Sequence, residues 1–201
     1  MPVAVSAVLA GSTDLEALED VLQAAFWDDP VMMFLFPDEP SRARRSARLF
    51  HALLKRHYLP MRTVWTTSDQ AGAAVWAPPG HWKLSTAQIL RSLPALLLGL
   101  GTNTVRSLRF MEEVDRHHPS EPHWYLGILG TDPPQQHRGI GSALLTPVLE
   151  RCDQEGLPAY LESSKESNIA FYARHGFALT GELNAKGAPT MYRMWREPQP
   201  D

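Results

Sequence analysis

The residues of this chain that are best placed to do chemistry lie in one short turn, residues 136–141. The turn joins a run of bulky apolar residues, 123–130, to an amphipathic segment that begins at Ile140. Gly139 and Gly141 lack the Cβ atoms that would hold a ligand away from the backbone. The first turn of a helix also has backbone N–H groups without internal partners and the positive end of the helix dipole. The spacing therefore predicts an anion site at a strand-to-helix corner.

Two common nucleotide-binding patterns do not fit this turn. A phosphate loop needs a lysine and then Ser or Thr directly after its second glycine, and no lysine follows Gly141 here. A dinucleotide fingerprint needs a third glycine or alanine at the position of Leu144. Two glycines would equally suit a tight turn without a ligand, so the flanking sequence has to decide.

The flanking sequence resembles one protein family. Residues 136–141, Gln-His-Arg-Gly-Ile-Gly, match the Gln/Arg-x-x-Gly-x-Gly/Ala signature of the GNAT superfamily, whose members use acetyl-CoA to acetylate amines. Residues 141–150, 156–163 and 168–177 resemble the branch that includes puromycin N-acetyltransferase. The resemblance is strong over residues 121–183 and thin before about residue 60.

The resemblance implies how acetyl-CoA, as co-substrate, would be bound. The strand before the turn would splay from its neighbour and pair its backbone, at residues 127–131, with the pantetheine arm. The turn and the helix start would hold the pyrophosphate, and Asn168 matches an asparagine that commonly contacts coenzyme A. The cofactor-binding residues predicted in this way are Ile128, Leu129, Gly130, Gln136, His137, Arg138, Gly139, Ile140, Gly141, Ser142, Asn168 and Tyr172.

The resemblance also assigns a catalytic role to Tyr172, which matches the family tyrosine beside the thioester sulfur. A leaving thiolate gains from a positioned proton donor, and a tyrosine hydroxyl can serve as one. A strand N–H near Ile128 would stabilise the oxyanion of the tetrahedral intermediate. The alternative role for Tyr172 is that of a half-buried helix aromatic that packs on the sheet.

The general base is open on sequence grounds. A lysine-like amine is mostly protonated at pH 7 and must lose a proton before it attacks. Glu162, in a strand that would face the cleft, is the predicted catalytic base, and His123, Tyr125 or a chain of waters are alternatives. A carboxylate bonded to donors at a strand end is the structural alternative for Glu162.

Acceptor binding is predicted near a loop, residues 28–38, that follows the first helix and is bracketed by Pro30 and Pro37. The acidic pair Asp28 and Asp29 would attract a cationic amine, although a solvated acidic turn is an equally good interpretation. The predicted substrate-binding residues are Trp27, Asp28, His123 and Tyr125.

Several classes of partner are excluded by composition. A net charge of −3 argues against nucleic acid, and the apolar run 95–100 is too short for a membrane span.

The pair His117 and His118 has no third ligand at suitable spacing, so we predict a polar helix end and no metal. The single cysteine, Cys152, cannot form an internal disulfide, and the N-terminus lacks a basic signal region, which together favour a cytoplasmic location.

A mixed sheet must position these residues. The second half of the chain has the pattern strand, helix, strand, helix, strand, strand, and the first half predicts a hairpin over residues 62–77 between helical stretches, 42–58 and 82–117. The resemblance implies an α/β (α+β) GNAT-type fold. It has a mixed, mostly antiparallel sheet of about seven strands, a splay between the fourth and fifth strands, and helices on both faces. Residues 1–201 would form a single domain, with acceptor-side elements over about 1–118 and a CoA-binding core over about 121–183.

Three functions are compatible with this sequence. The leading hypothesis is an N-acetyltransferase that acts on a small-molecule primary amine. A non-catalytic acyl-CoA sensor or interaction module is the second, and a protein amine acetyltransferase is the third. Exposed aromatics such as Trp82 would suit either an acceptor pocket or a homodimer face.

Overall fold

The computed structural model describes residues 5–83 and 103–199, and the element labels used below count only these ranges. Its centre is a seven-stranded sheet with the order β1-β2-β3-β4-β5-β7-β6. All neighbouring strands are antiparallel except β4 and β5, which are parallel. The predicted fold class is therefore confirmed. The strands are β1 (Ala7–Leu9), β2 (Val64–Thr67), β3 (Gly72–Ala77), β4 (Trp124–Thr131), β5 (Ala159–Ser163), β6 (Ala178–Leu183) and β7 (Met191–Arg196).

Helices cover both faces of this sheet. Short 3₁₀ turns at Ser12–Asp14, Pro133–Gln135 and Glu166–Asn168 precede three of them, and a π-helical turn, Leu54–Tyr58, follows the third. Residues 84–102, within the stretch predicted to be helical, lie outside the described residues. The helices are α1 (Leu15–Ala25), α2 (Pro30–Leu35), α3 (Glu39–Leu53), α4 (Leu59–Met61), α5 (Thr104–His117), α6 (Ile140–Glu155) and α7 (Ile169–Ala173).

The prediction of a loop over residues 28–38 is wrong, because α2 lies within it. Asp29 caps this helix, and its Oδ1 accepts hydrogen bonds from the N–H groups of Val31 at 2.9 Å and Met32 at 3.0 Å. Pro30 occupies the first helical position, where its missing N–H has no cost. The Asp-Pro pair that suggested a loop therefore starts a helix.

Two hydrophobic cores lie on opposite faces of the sheet. One lies under α6 and includes Leu144, Leu145 and Trp124. The other lies under α1 and α3 and includes Leu22 and Phe50. The strand β3 is buried along its whole length because it contributes side chains to both cores.

The sheet opens at its parallel pair. The strands β4 and β5 are paired only where Trp124–Leu126 face Ala159–Leu161. On the other side of β4, Val75 pairs with Ile128 whereas Trp76 pairs with Leu126, so Gly127 has no register partner in β3. A bulge of this kind bends a strand and increases its twist. The carboxyl half of β4 therefore diverges from β5, as the sequence predicts.

A partly buried ion pair fixes the far end of the sheet to α6. The guanidinium of Arg196 in β7 donates to both carboxylate oxygens of Asp153, at 2.7 and 2.8 Å. These bonds hold the pKa of Asp153 below its ordinary value of 3.8. Because the native pKa is lowered, the pair contributes stability above the ordinary pKa and loses it as pH falls through the native value.

We expect Asp153→Asn to lower the free energy of unfolding by about 2 kcal/mol at pH 7, since bonds to charged groups are removed. The difference from wild type should begin to shrink below about pH 4, where the carboxyl of the unfolded chain takes up a proton, and should be lost as pH falls through the lowered native pKa. Denaturant unfolding at pH 7 and pH 3 measures both values. Glu150→Gln, an exposed change in the same helix, is the control. A deficit that is the same at both pH values would contradict the assignment.

Candidate active site

A cleft of ≈ 740 Å³ opens where β4 and β5 diverge. One wall is residues 126–131 of β4 and the other is residues 161–165, which end β5 and begin the next turn. The start of α6 closes one end, and α7 lies alongside. Twelve residues that the sequence predicts for the site line this cleft: Ile128, Leu129, Gly130, Gln136, His137, Gly139, Ile140, Gly141, Ser142, Glu162, Asn168 and Tyr172.

Five predicted site residues are not among the described residues that line the cleft: Trp27, Asp28, His123, Tyr125 and Arg138. The guanidinium of Arg138 turns away and donates to the side chain of Gln135 at 2.7 Å. Trp27 is 38% exposed and packs under the guanidinium of Arg42. Because Arg138 points away, its guanidinium does not face the cleft, and the turn presents backbone groups there instead.

The turn before α6 has an unusual backbone. His137 and Gly139 have φ angles of 63° and 82°, in the left-handed region that favours glycine. This conformation accounts for glycine at 139 and makes His137 a strained position, worth roughly 1–2 kcal/mol. The first bond within the helix runs from the Ala143 N–H to the Gly139 carbonyl, so the N–H groups of residues 140–142 have no helical partner. Free N–H groups of this kind are the donors that the predicted anion site requires.

The second glycine of the turn allows α7 to approach. A Cβ atom on Gly141 would lie 3.1 Å from Cζ of Phe171, closer than ordinary packing allows. The helix start and α7 are therefore in contact, and Asn168 and Tyr172 reach the same cleft as the turn. Glycine at 139 serves the backbone conformation, whereas glycine at 141 serves packing between two elements.

Tyr172 is buried, with only 7% of the residue exposed. Burial, together with the negative charge of Asp29, raises the pKa of Tyr172 well above its usual value. The hydroxyl is therefore protonated throughout the physiological pH range. A group in this state can donate a proton or a hydrogen bond but is a poor base.

Of the two adjacent acids, Asp29 lines the cleft and Asp28 does not. Asp29 is 4% exposed, and its second carboxylate oxygen accepts a short hydrogen bond from the Ser164 hydroxyl. Asp28 points outward and forms an ion pair with Lys165 at 2.8 Å, which lowers the pKa of Asp28. These two contacts join the loop before α2 to the segment after β5. The sequence prediction named Asp28 rather than Asp29. Nothing in the sequence distinguishes the two acids, because only the cap bonds of Asp29 show which one faces the cleft.

Glu162 lies in the wall formed by residues 161–165, near aromatic rings. Its side chain is 2% exposed, and within the described part of the chain its Oε1 accepts no hydrogen bond. Tyr125, a predicted substrate-binding residue, and Tyr160 lie near it. Burial and the charge of Glu162 raise the pKa of both tyrosines well above the usual value.

His118, which the sequence predicts to be part of a polar helix end, lies beside Glu162. The side chain of His118 is 1% exposed, and its Nδ1 lies 3.4 Å from Oε1 of Glu162. Its ring stacks on Trp82, with centroids 3.5 Å apart. His123 is also buried here, with its Nε2 2.9 Å from Nε2 of His118. His118 follows the last residue of α5, and no local spacing indicates its contact with a strand 44 residues later.

Within residues 5–83 and 103–199, no group of three or more His, Cys, Asp or Glu side chains is arranged to hold a metal ion. In the same ranges, no helix has the length and apolar character needed to cross a membrane.

Comparison with known proteins gives the family. Residues 99–177 match the acetyltransferase (GNAT) family. An uncharacterized N-acetyltransferase of Schizosaccharomyces pombe is 31% identical over 180 residues, which cover 82% of this chain and 70% of the relative.

Solved structures share the fold. A crystal structure described as histone acetyltransferase HPA2 and related acetyltransferase, from Corynebacterium glutamicum, superposes with a TM-score of 0.77 at 23% identity over 99% of each chain. Arylalkylamine N-acetyltransferase 2 of Aedes aegypti superposes with a TM-score of 0.66 at 12% identity, over 98% of this chain and 100% of its own. The sequence relative and the family match together show that the chain belongs to the GNAT family of acetyltransferases.

Proposed function

We propose that this protein transfers the acetyl group of acetyl-CoA to the primary amine of a small molecule. The observation that carries the proposal is the composition of the cleft along its length. Free backbone N–H groups are at the start of α6, the protonated Tyr172 is in α7, and the buried carboxylate Glu162 is in β5. An anion site, a proton donor and a proton acceptor are the groups that acyl transfer to an amine requires.

The unpaired edge of β4 would bind the donor. From Gly127 onward its N–H and C=O groups have no partner in β5, so the amides of pantetheine can add to this edge as a strand would. The N–H groups of residues 140–142 would bind the pyrophosphate, aided by the helix dipole. Asn168, at the start of α7, would contact the cofactor on the same side.

The reaction would proceed by direct attack. The acceptor ammonium loses a proton to Glu162, and the amine nitrogen then forms a bond to the thioester carbon. A backbone N–H near Ile128 donates to the resulting oxyanion. When the C–S bond breaks, the thiolate takes the proton of Tyr172, and the second N–H proton of the intermediate restores that hydroxyl. The products are the N-acetylated amine, CoA thiol and one proton.

The residues around Glu162 favour a cationic amine with an aromatic or apolar body. Tyr125 and Tyr160 lie near Glu162, Trp82 lies edge-on to Tyr125, and aromatic faces attract cations. The arylalkylamine name of the mosquito protein agrees with such an acceptor. The likeness of residues 156–163 to the puromycin-type branch also supports a small molecule rather than a protein as the substrate.

A thiol-release assay with acetyl-CoA and a panel of amines tests the proposal. The panel should contain arylalkylamines, linear polyamines, amino sugars, and peptides with free lysine or N-terminal amines. We expect CoA release with at least one small amine, and an acetylated product by mass spectrometry. CoA binding without turnover on any amine would overturn the proposal and favour a sensor. Turnover on peptides alone would favour a protein acetyltransferase.

We expect Gly139→Ala to weaken CoA binding roughly 5- to 30-fold, because an alanine at φ 82° strains the turn by about 1–2 kcal/mol. A Cβ atom here meets nothing within 4 Å, so the effect must come through the backbone. Gly187→Ala is a matched control, since Gly187 has φ 72° and equally open surroundings. Calorimetry with CoA measures the affinities. Equal affinity in both variants would remove the turn from the binding site.

We expect Tyr172→Phe to reduce kcat by about 10- to 10³-fold, the range for loss of a general acid. The Kd for CoA should change little, because the hydroxyl is needed only when the thiolate leaves. Tyr192→Phe in β7, outside the lining of the cleft, is the control. Steady-state kinetics with the best amine of the panel gives both constants. Unchanged turnover would exclude Tyr172 from the mechanism.

A further inference from the structure

Two buried histidines lie in a row between Glu162 and the exposed residue Glu121. His118 Nδ1 lies 3.4 Å from Oε1 of Glu162, and His118 Nε2 lies 2.9 Å from Nε2 of His123. His123 Nδ1 lies 2.6 Å from the backbone carbonyl oxygen of Glu121, an exposed residue. The four groups form a continuous row that starts at a carboxylate in the cleft.

The positions of the ring protons follow from what each partner can do. A backbone carbonyl only accepts hydrogen bonds, so His123 Nδ1 must carry a proton. Burial lowers the pKa of His123, which favours the neutral ring, so its Nε2 is an acceptor. The proton between the two rings therefore belongs to His118 Nε2. In the neutral ring, His118 Nδ1 is then a free acceptor that faces Glu162.

This arrangement leaves two acceptors facing each other. When Glu162 is ionised and His118 is neutral, the carboxylate Oε1 and the lone pair of Nδ1 lie 3.4 Å apart with no proton between them. One added proton relieves that repulsion and is shared by both atoms. The rings around His118 restrict its rotation, because it stacks on Trp82 and meets Tyr125 and Tyr160 edge-on, at centroid distances of 4.9 Å.

We propose that Glu162 and His118 act together as the proton acceptor for the substrate ammonium, and that His123 is the positioning residue that fixes the required tautomer of His118. This inference rests on the proposed function. The N–H bond of the ammonium breaks, and a proton comes to lie between Oε1 and Nδ1. It passes to solvent when the product leaves, which accounts for the single proton released in each turnover.

Other titratable and charged groups lie near this pair. Asp115 in α5 lies near His118, and burial raises the pKa of Asp115, while Lys83 and His118 act in the opposite direction. Arg193 of β7 is the register partner of Glu162. The titratable and charged groups that face the pair are Tyr58, Lys83, Asp115, His123, Tyr125, Tyr160 and Arg193.

The kinetic test compares His118→Gln with His117→Gln, an exposed neighbour outside the cleft. Glutamine can keep the donor to His123 but cannot share a proton with Glu162. At pH 7 we expect kcat to fall roughly 10- to 10²-fold for His118→Gln, in the range of acid–base catalysis, with the KM for acetyl-CoA unchanged. The deficit should shrink as pH rises from 6 to 9, because more amine is already deprotonated. His117→Gln should behave as wild type.

A deficit that is constant with pH would show a structural role for His118, and unchanged kinetics would show no role. Either result overturns the proposal. Absence of turnover in the wild type would instead contradict the proposed function. The histidine arrangement is then decided by ¹⁵N NMR of the rings, at a pH where both are neutral. We expect a proton on Nδ1 of His123 and on Nε2 of His118, whereas a proton on Nδ1 of His118 would overturn the proposal.

Discussion

The interruption of pairing between β4 and β5 after Leu126 is the constraint on which the rest of the site depends. Within a continuous sheet, the backbone groups of residues 127–131 would be bonded to β5, and no cleft would form. Gly127 permits the divergence because it is the extra residue of a bulge, and a Cβ atom on it would lie 2.8 Å from the hydroxyl of Tyr58. A side chain there would force the strand or the π-helical turn to move.

The same divergence separates the two kinds of chemistry. On the side of α6, backbone N–H groups and a helix dipole suit an anion, and no side-chain cation lines the described turn. On the other side, a carboxylate is buried among aromatic rings, which suits a cation. Asp29 and Ser164, which both line the cleft, join the segment before α2 to the segment after β5. A donor with a diphosphate and an acceptor with an ammonium group would therefore enter from different ends and meet beside Tyr172.

How much of this the sequence predicts depends on whether the determinants are local. Gly139 and Gly141 could be singled out directly, because their spacing indicates a strand-to-helix corner that suits an anion. The left-handed backbone at Gly139 and the contact of Gly141 with Phe171 are seen only in the structure. The sheet and the splay between β4 and β5 were predicted from the resemblance to the GNAT superfamily. The short helix α2 was missed, since an Asp-Pro pair is found both in loops and at helix starts, and only the cap bonds distinguish them.

The acceptor side could not be predicted in the same way. Asp28 and Asp29 are adjacent and chemically identical, but their side chains point in different directions. The direction of Asp29 depends on the cap of α2 and on Ser164, which is 135 residues away. The contact between His118 and Glu162 likewise depends on how α5 ends against β5. Such contacts have no period or spacing in the chain, so a sequence pattern cannot show them.

A crystal structure with bound CoA tests the central claim most directly, because the claim is that the diverging strands form the donor site. The account predicts that pantetheine lies along residues 127–131 of β4, with its diphosphate on the N–H groups of residues 140–142. It also predicts the CoA sulfur within about 4 Å of the Tyr172 hydroxyl, close enough for proton transfer. A cofactor bound elsewhere, or a sulfur remote from Tyr172, would contradict it.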